Sequence, residues 1–216
     1  MRTYAAGMRA DAARNRQRVL DTARALYSVQ GLDVPVEAVA RAAGVGIGTV
    51  YRHFPDRTRL VQAVVADRLA HVGGLLAAAR TGLDGDDPAA AWDAFLGGFL
   101  DSGLPVLLPV LVPHARDADV FTEELVAVRA RTANAAGEVV RTAQRLGLVR
   151  DDVGTPEIVL MFAAAMHGTP GLPDEVNSAL LARRTGLLRA ALRPGGDPLP
   201  GERVDVEDLL ALLARP

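Results

Sequence analysis

The sequence predicts an all-α protein. Apolar residues recur at three- and four-residue spacings along most of the chain, while β-branched residues are scattered and no apolar–polar alternation persists beyond a few positions. Half of the 216 residues are hydrophobic, enough for a sizeable buried core.

Each helix has its own signal. Val19, Leu20, Ala23, Leu26 and Tyr27 make an apolar stripe on a first helix that ends near Gln30-Gly31. Asp33-Val34-Pro35 reads as a helix start, with proline in the first turn where its missing N–H costs nothing. Val36, Val39, Ala40 and Ala43 form a second, short stripe ending at Gly44, and a third short helix follows from about Gly48 to Phe54. After Pro55-Asp56 a long helix runs from about Arg57 to Thr81. Further helices are expected over Pro88–Ser102, Pro105–His114, Thr122–Leu146, Thr155–His167 and Asp174–Arg193. The tail begins with flexible Pro- and Gly-rich sequence and closes with a short helix over Val206–Ala214. The expected organisation is a head over 1–60 that includes a basic N-terminal arm, a larger helical unit over 61–195, and a tail over 196–216.

Charge separates the head from the rest. Residues 1–60 hold ten Arg and five acidic residues, a net of +5, and the remainder holds 14 Arg and 21 acids, a net of −7. All 24 basic residues are Arg. A basic first quarter on an acidic remainder points to a polyanion partner for the head alone. The absence of cysteine removes disulfides and thiolate chemistry and is compatible with a reducing cytoplasm. The N-terminus has no apolar signal-peptide core, and the most apolar run, Leu104–Pro113, is short and broken by three prolines. A soluble, cytoplasmic protein without membrane contact is expected.

The stretch "AAGVGIGTVYRHF", Ala42 to Phe54, decides between two chemistries. A phosphate-binding glycine loop needs a strand before it and a helix after it, but these glycines follow the helical "VEAVARAA". Gly44, Gly46 and Gly48 do not complete G-x-G-x-x-G, because Tyr51 stands at the last position. A helix-turn-helix fits instead. Ala40 is small where two helix axes approach, Gly44 tolerates positive φ at the bend, and Val50 returns beneath the first helix. Thr49, Tyr51, Arg52 and His53 then present hydroxyls, a guanidinium and an imidazole on the second helix, and Arg57 adds a cation at the start of the next. These groups suit phosphates and base edges.

In this order, "RVLDTARALYSVQGLDVPVEAVARAAGVGIGTVYRHFPDRTRLVQAVV" resembles the N-terminal DNA-binding domain of the tetracycline-repressor (TetR) family. The resemblance implies an all-α homodimer of nine or ten helices, in which a three-helix head binds a palindromic operator in double-stranded DNA. It also implies a helical remainder that dimerises and receives a small-molecule effector, most members being repressors that the effector releases. By position, Thr49, Tyr51 and His53 match the family's DNA-contacting places, and Arg57 stands where a phosphate-contacting lysine is usual. Ile47, beside Gly48, replaces a charged residue and either meets a thymine methyl or packs.

For the remainder, Trp92, Phe95, Phe99, His114, Phe162, Met166 and His167 either line an effector pocket or simply fill the core. The family pairs its last long helices, which directs the expected dimer interface to Ala163, Leu180, Arg184, Leu187, Leu188 and Ala191. A C-terminal unit that docks a protein instead of a small ligand is the alternative. An enzyme is not expected: there is no G-x-S-x-G or H-E-x-x-H, and the four histidines are scattered at 53, 71, 114 and 167. No metal or cofactor is expected either.

Overall fold

The computed structural model describes the backbone of residues 2–169 and 171–214, and side chains over 11–169 and 171–213. Every regular element in it is helical. The order is α1 (Arg2–Gln30), α2 (Val36–Ala43), α3 (Ile47–His53), α4 (Arg57–Leu83), α5 (Pro88–Asp101), α6 (Leu104–Leu111), a 3₁₀ turn (Val112–His114), α7 (Glu123–Arg145), α8 (Thr155–Ala165), α9 (Asp174–Ala191) and α10 (Val206–Ala214).

Helix α1 starts well before the stripe that announced it. Residues 11–14 are exposed, and the Ala- and Arg-rich sequence of this extension is intrinsically helix-forming. The side chains of residues 2–10, including Arg2 and Arg9 of the expected basic arm, lie outside the described residues. The other helices begin and end within a few residues of expectation. Pro35 caps α2 from outside instead of opening its first turn, and Leu104–His114 divides into a helix and a 3₁₀ turn, with Pro109 inside the helix.

Helix α4 is the shaft of the molecule. Asp56 caps it, its carboxylate accepting the Arg59 N–H at 2.7 Å. By length and composition α4 could cross a membrane, but here it packs against α1, α5 and α7. Leu60, Val61 and Val64 are buried near its start, and Leu69, Val72, Leu76 and Leu83 further along. One buried cluster runs from Val19 on α1 through α4 to Phe162 on α8, joining the small helices to the large ones through this shaft.

Candidate nucleic-acid interface

The corner between α2 and α3 depends on backbone freedom at one residue. Gly44 has φ +63° and ψ 33°, and the N–H of Val45 donates to Ala40 O at 3.1 Å, closing the end of α2. A Cβ at Gly44 would meet nothing within 4 Å, so the demand is for left-handed backbone rather than space. Val39, Ala40 and Ala43 are buried on the underside of α2, and Val50 (0% exposed) anchors α3 from below. Phe54 closes the unit, buried beneath the Arg16 guanidinium, which lies 5.4 Å from its ring centroid.

With Val50 turned inward, the opposite side of α3 faces solvent. Ile47, Gly48, Tyr51 and Arg52 are exposed, and Thr49 and His53 half-buried. Arg57 is exposed at the first turn of α4. Together these residues form an outward ridge of hydroxyls, two guanidiniums and an imidazole.

Two acidic residues already engage this ridge. The Tyr51 hydroxyl donates to Glu37 Oε1 at 2.5 Å, and Arg57 pairs with Asp33 just before α2. The bond from Tyr51, followed by a backbone N–H, holds the Glu37 carboxyl below its usual range; the same bond raises the Tyr51 phenol. Sequence reasoning missed both pairs, since helical periodicity does not register contacts 14 and 24 residues apart.

Arg68 is one of the ties between the head and the larger helices. Arg68 on α4 donates to Ser102 O at 2.9 Å, at the α5–α6 junction, and its guanidinium stands 3.8 Å from Asp21 on α1.

A cavity of about 230 Å³ lies among α4, α5, α6, α7, α8 and α10. Of the seven residues expected to form a pocket, only Phe99 lines it. Trp92, Phe95 and Phe99 form a row of neighbouring rings with centroids 5.6 and 6.3 Å apart; the first two sit deep in α5's packed side, and Phe162 is fully buried core. His114 is exposed near Asp117; Met166 and His167 are half-buried, with His167 Nδ1 3.0 Å from Ala163 O. The periodicity had marked residues that point inward without showing where the interior stays open. The tail helix α10 closes the cavity with Val206, Leu209, Leu210 and Leu213.

The surface of α8 and α9 differs from the rest. None of the 18 residues of α9 is buried. Val176, Leu180 and Leu187 are exposed and fall within about 40° of one another at 100° per residue, with Arg184 and Ala191 alongside. Leu160 and Met161 of α8 are exposed too. Ala163 corrects the expected set: it is buried within the protomer, because its small side chain faces inward beside Phe162. Leu188 is half-buried against the protomer's own core.

Known proteins match this architecture. Residues 19–64, from α1 into α4, match the family described as bacterial regulatory proteins, tetR family. An HTH-type transcriptional regulator of Staphylococcus aureus is 39% identical over 59 residues, 27% of this chain. That match spans only 32% of the relative's length. A TetR transcription regulatory protein from Mycobacterium vanbaalenii is 34% identical, with a TM-score of 0.50, over 86% of this chain and 99% of its own. The TetR-like regulator LfrR from Mycobacterium smegmatis, solved with proflavine, shares the fold at 19% identity and a TM-score of 0.56, over 87% of this chain and 98% of its own. With its helix-turn-helix at the head of an all-helical body, the chain belongs to the TetR family of bacterial regulatory proteins.

Proposed function

We propose that the protein is a homodimeric, sequence-specific DNA-binding regulator, acting as a repressor that a small molecule releases from a palindromic operator. The observation that carries this reading is the α3 ridge, with Thr49, Tyr51 and Arg52 presented outward over a buried Val50 on a head of net charge +5. Thr49, Tyr51 and Arg52 contact groove edges, while His53 and Arg57 hold phosphates. Ile47 meets a thymine methyl, and Gly48, without a side chain, lets the helix approach the groove closely. The division into a head (1–60), a ligand-receiving and dimerising unit (61–195) and a tail (196–216) belongs to this proposal.

Dimerisation is supported by α9. An 18-residue helix with no buried side chain and an apolar stripe lacks the packing that stabilises helices in proteins, and a second copy supplies it. Two recognition helices ~34–36 Å apart then read two half-sites one turn apart. The cavity, open and apolar rather than filled, favours a small ligand over a protein-docking role.

Coupling runs through α4. Val65, Leu69 and Val72 line the cavity, while Leu60, Val61 and Val64 of the same helix lie nearer the head, and Arg68, within the cavity-lining stretch, joins α1 to the α5–α6 junction. A ligand that favours a tilted α4 spreads the heads; a 100-fold loss of operator affinity requires about 2.7 kcal/mol of differential binding.

The test is selection of bound sites from random duplex DNA with wild type and Tyr51→Ala, with the oligomeric state measured alongside. An inverted repeat enriched by wild type and lost in the variant is expected. A dimer that enriches nothing at low salt, where phosphate contacts are strongest, overturns the reading. A monomer that stays monomeric on DNA overturns its dimeric part.

A further inference from the structure

We infer that the cavity takes an uncharged molecule of about nine carbons, a hydrocarbon body with at most one neutral polar atom. This rests on the ligand-receiving reading above and names the chemical class of that ligand.

The cavity offers nothing that replaces water around an ion. Apart from Arg129, Thr132 and Thr155, every residue described at its wall is apolar. Arg129 is the one charged group among them, and it is turned into the wall. Its Nη1 donates to Ala115 O at 3.0 Å, its guanidinium lies 4.9 Å from the Phe121 ring centroid, and its Nε is buried. The Thr132 hydroxyl donates to Val128 O, 2.9 Å away and one turn back on α7, so it too is engaged. Thr155, buried at the first turn of α8, contributes a single hydroxyl.

Burial of a carboxylate or an ammonium is unfavourable unless hydrogen bonds and a counter-charge replace its hydration. One hydroxyl can meet one neutral oxygen, but it cannot do both for an ion. A hydrocarbon body gains twice. It leaves water, and it restores the dispersion contacts that side chains lack across an empty space.

The size of the space sets the size of the molecule. An apolar cavity of roughly 150 Å³ stays dry and takes one benzene. In proportion, the 230 Å³ here takes a body of about nine carbons. Leu69 and Val72 of α4, Phe99 of α5 and Leu108 of α6 share the wall with Leu209 and Leu213 of α10. Arg116 fastens that last helix by donating to Leu212 O at 2.6 Å.

The experiment compares propylbenzene, 3-phenylpropanoate and 3-phenylpropylamine, one body without and with a charge of either sign, binding to the full-length protein by titration calorimetry at pH 7. Wild type is expected to bind propylbenzene, and each ion at least tenfold more weakly. Ala136→Leu, which puts a larger side chain into the cavity from α7, is expected to weaken propylbenzene at least tenfold while keeping its helical spectrum. If either ion binds wild type within tenfold of propylbenzene, the uncharged assignment falls and the ligand-receiving cavity stands. If the folded variant binds propylbenzene as wild type does, the molecule sits elsewhere and the assignment falls. If none of the three binds, both readings fall. The wild-type comparison decides the class of ligand even where the variant does not fold.

Discussion

Tyr27→Phe isolates one hydroxyl at the centre of the head. The ring is 1% exposed on α1 and its hydroxyl is buried with no hydrogen-bond partner among the described residues. An unpartnered buried hydroxyl costs about 1–3 kcal/mol, offset in part by the dispersion contacts that its oxygen makes. The variant is therefore expected to gain about 1 kcal/mol at neutral pH, a rise of about 2–4 °C in Tm for a chain of this size. Burial pushes the Tyr27 phenol up to about 12 from 10, against a smaller opposing influence of Arg57. Because the folded pKa is raised, the unfolded chain loses its proton first; the stabilisation is present below pH 10 and fades as pH rises towards 12. A two-unit shift corresponds to about 2.7 kcal/mol lost across that window. The chain has no lysine and no cysteine, so tyrosines dominate titration there, which makes the effect legible. Urea unfolding of both proteins followed by circular dichroism at pH 7, 10 and 12 provides the assay. Phenylalanine is expected to flatten the alkaline decline. A variant less stable by 1 kcal/mol at pH 7, or an unchanged decline from pH 10 to 12, would show that the hydroxyl has a partner and refute the reasoning.

Three further outcomes follow from the same geometry. Gly44→Ala forces a Cβ into left-handed backbone and is expected to cost about 1–2 kcal/mol in urea unfolding, with Gly44→Asn costing less; equal losses would show that space and not conformation governs the corner. Removing one acidic charge beside the α3 ridge, by Asp33→Asn or Glu37→Gln, is expected to raise DNA affinity about twofold at low salt, since one like charge near the phosphates is lost. That gain should shrink as salt rises in a fluorescence titration, and a salt-independent gain would point to altered structure. Gly154→Ala would drive its Cβ onto the Val204 carbonyl oxygen, so the tail is expected to detach, speeding proteolysis of 196–214 and costing about 1–3 kcal/mol. Gly74→Ala, whose Cβ meets nothing, is the control and should stabilise α4 by about 0.8–1 kcal/mol.

The sequence by itself determined the features whose physics is local. Helix ends followed from caps, glycines and prolines; the stripe Val36, Val39, Ala40 and Ala43 marked the face that α2 buries; Gly44 declared a bend by lacking a Cβ. The exposed side of α3 was legible because seven residues with one buried valine leave little freedom of orientation. Periodicity tells that a face is covered and does not tell what covers it. For that reason only the tertiary structure decided that Tyr51 meets Glu37 and Arg57 meets Asp33. It alone turned Ala163 inward and left α9 with no buried residue. The cavity is the clearest case. Its walls come from six helices and its closure joins Arg116 to Leu212, 96 residues apart, so the space exists only once those faces have been brought together.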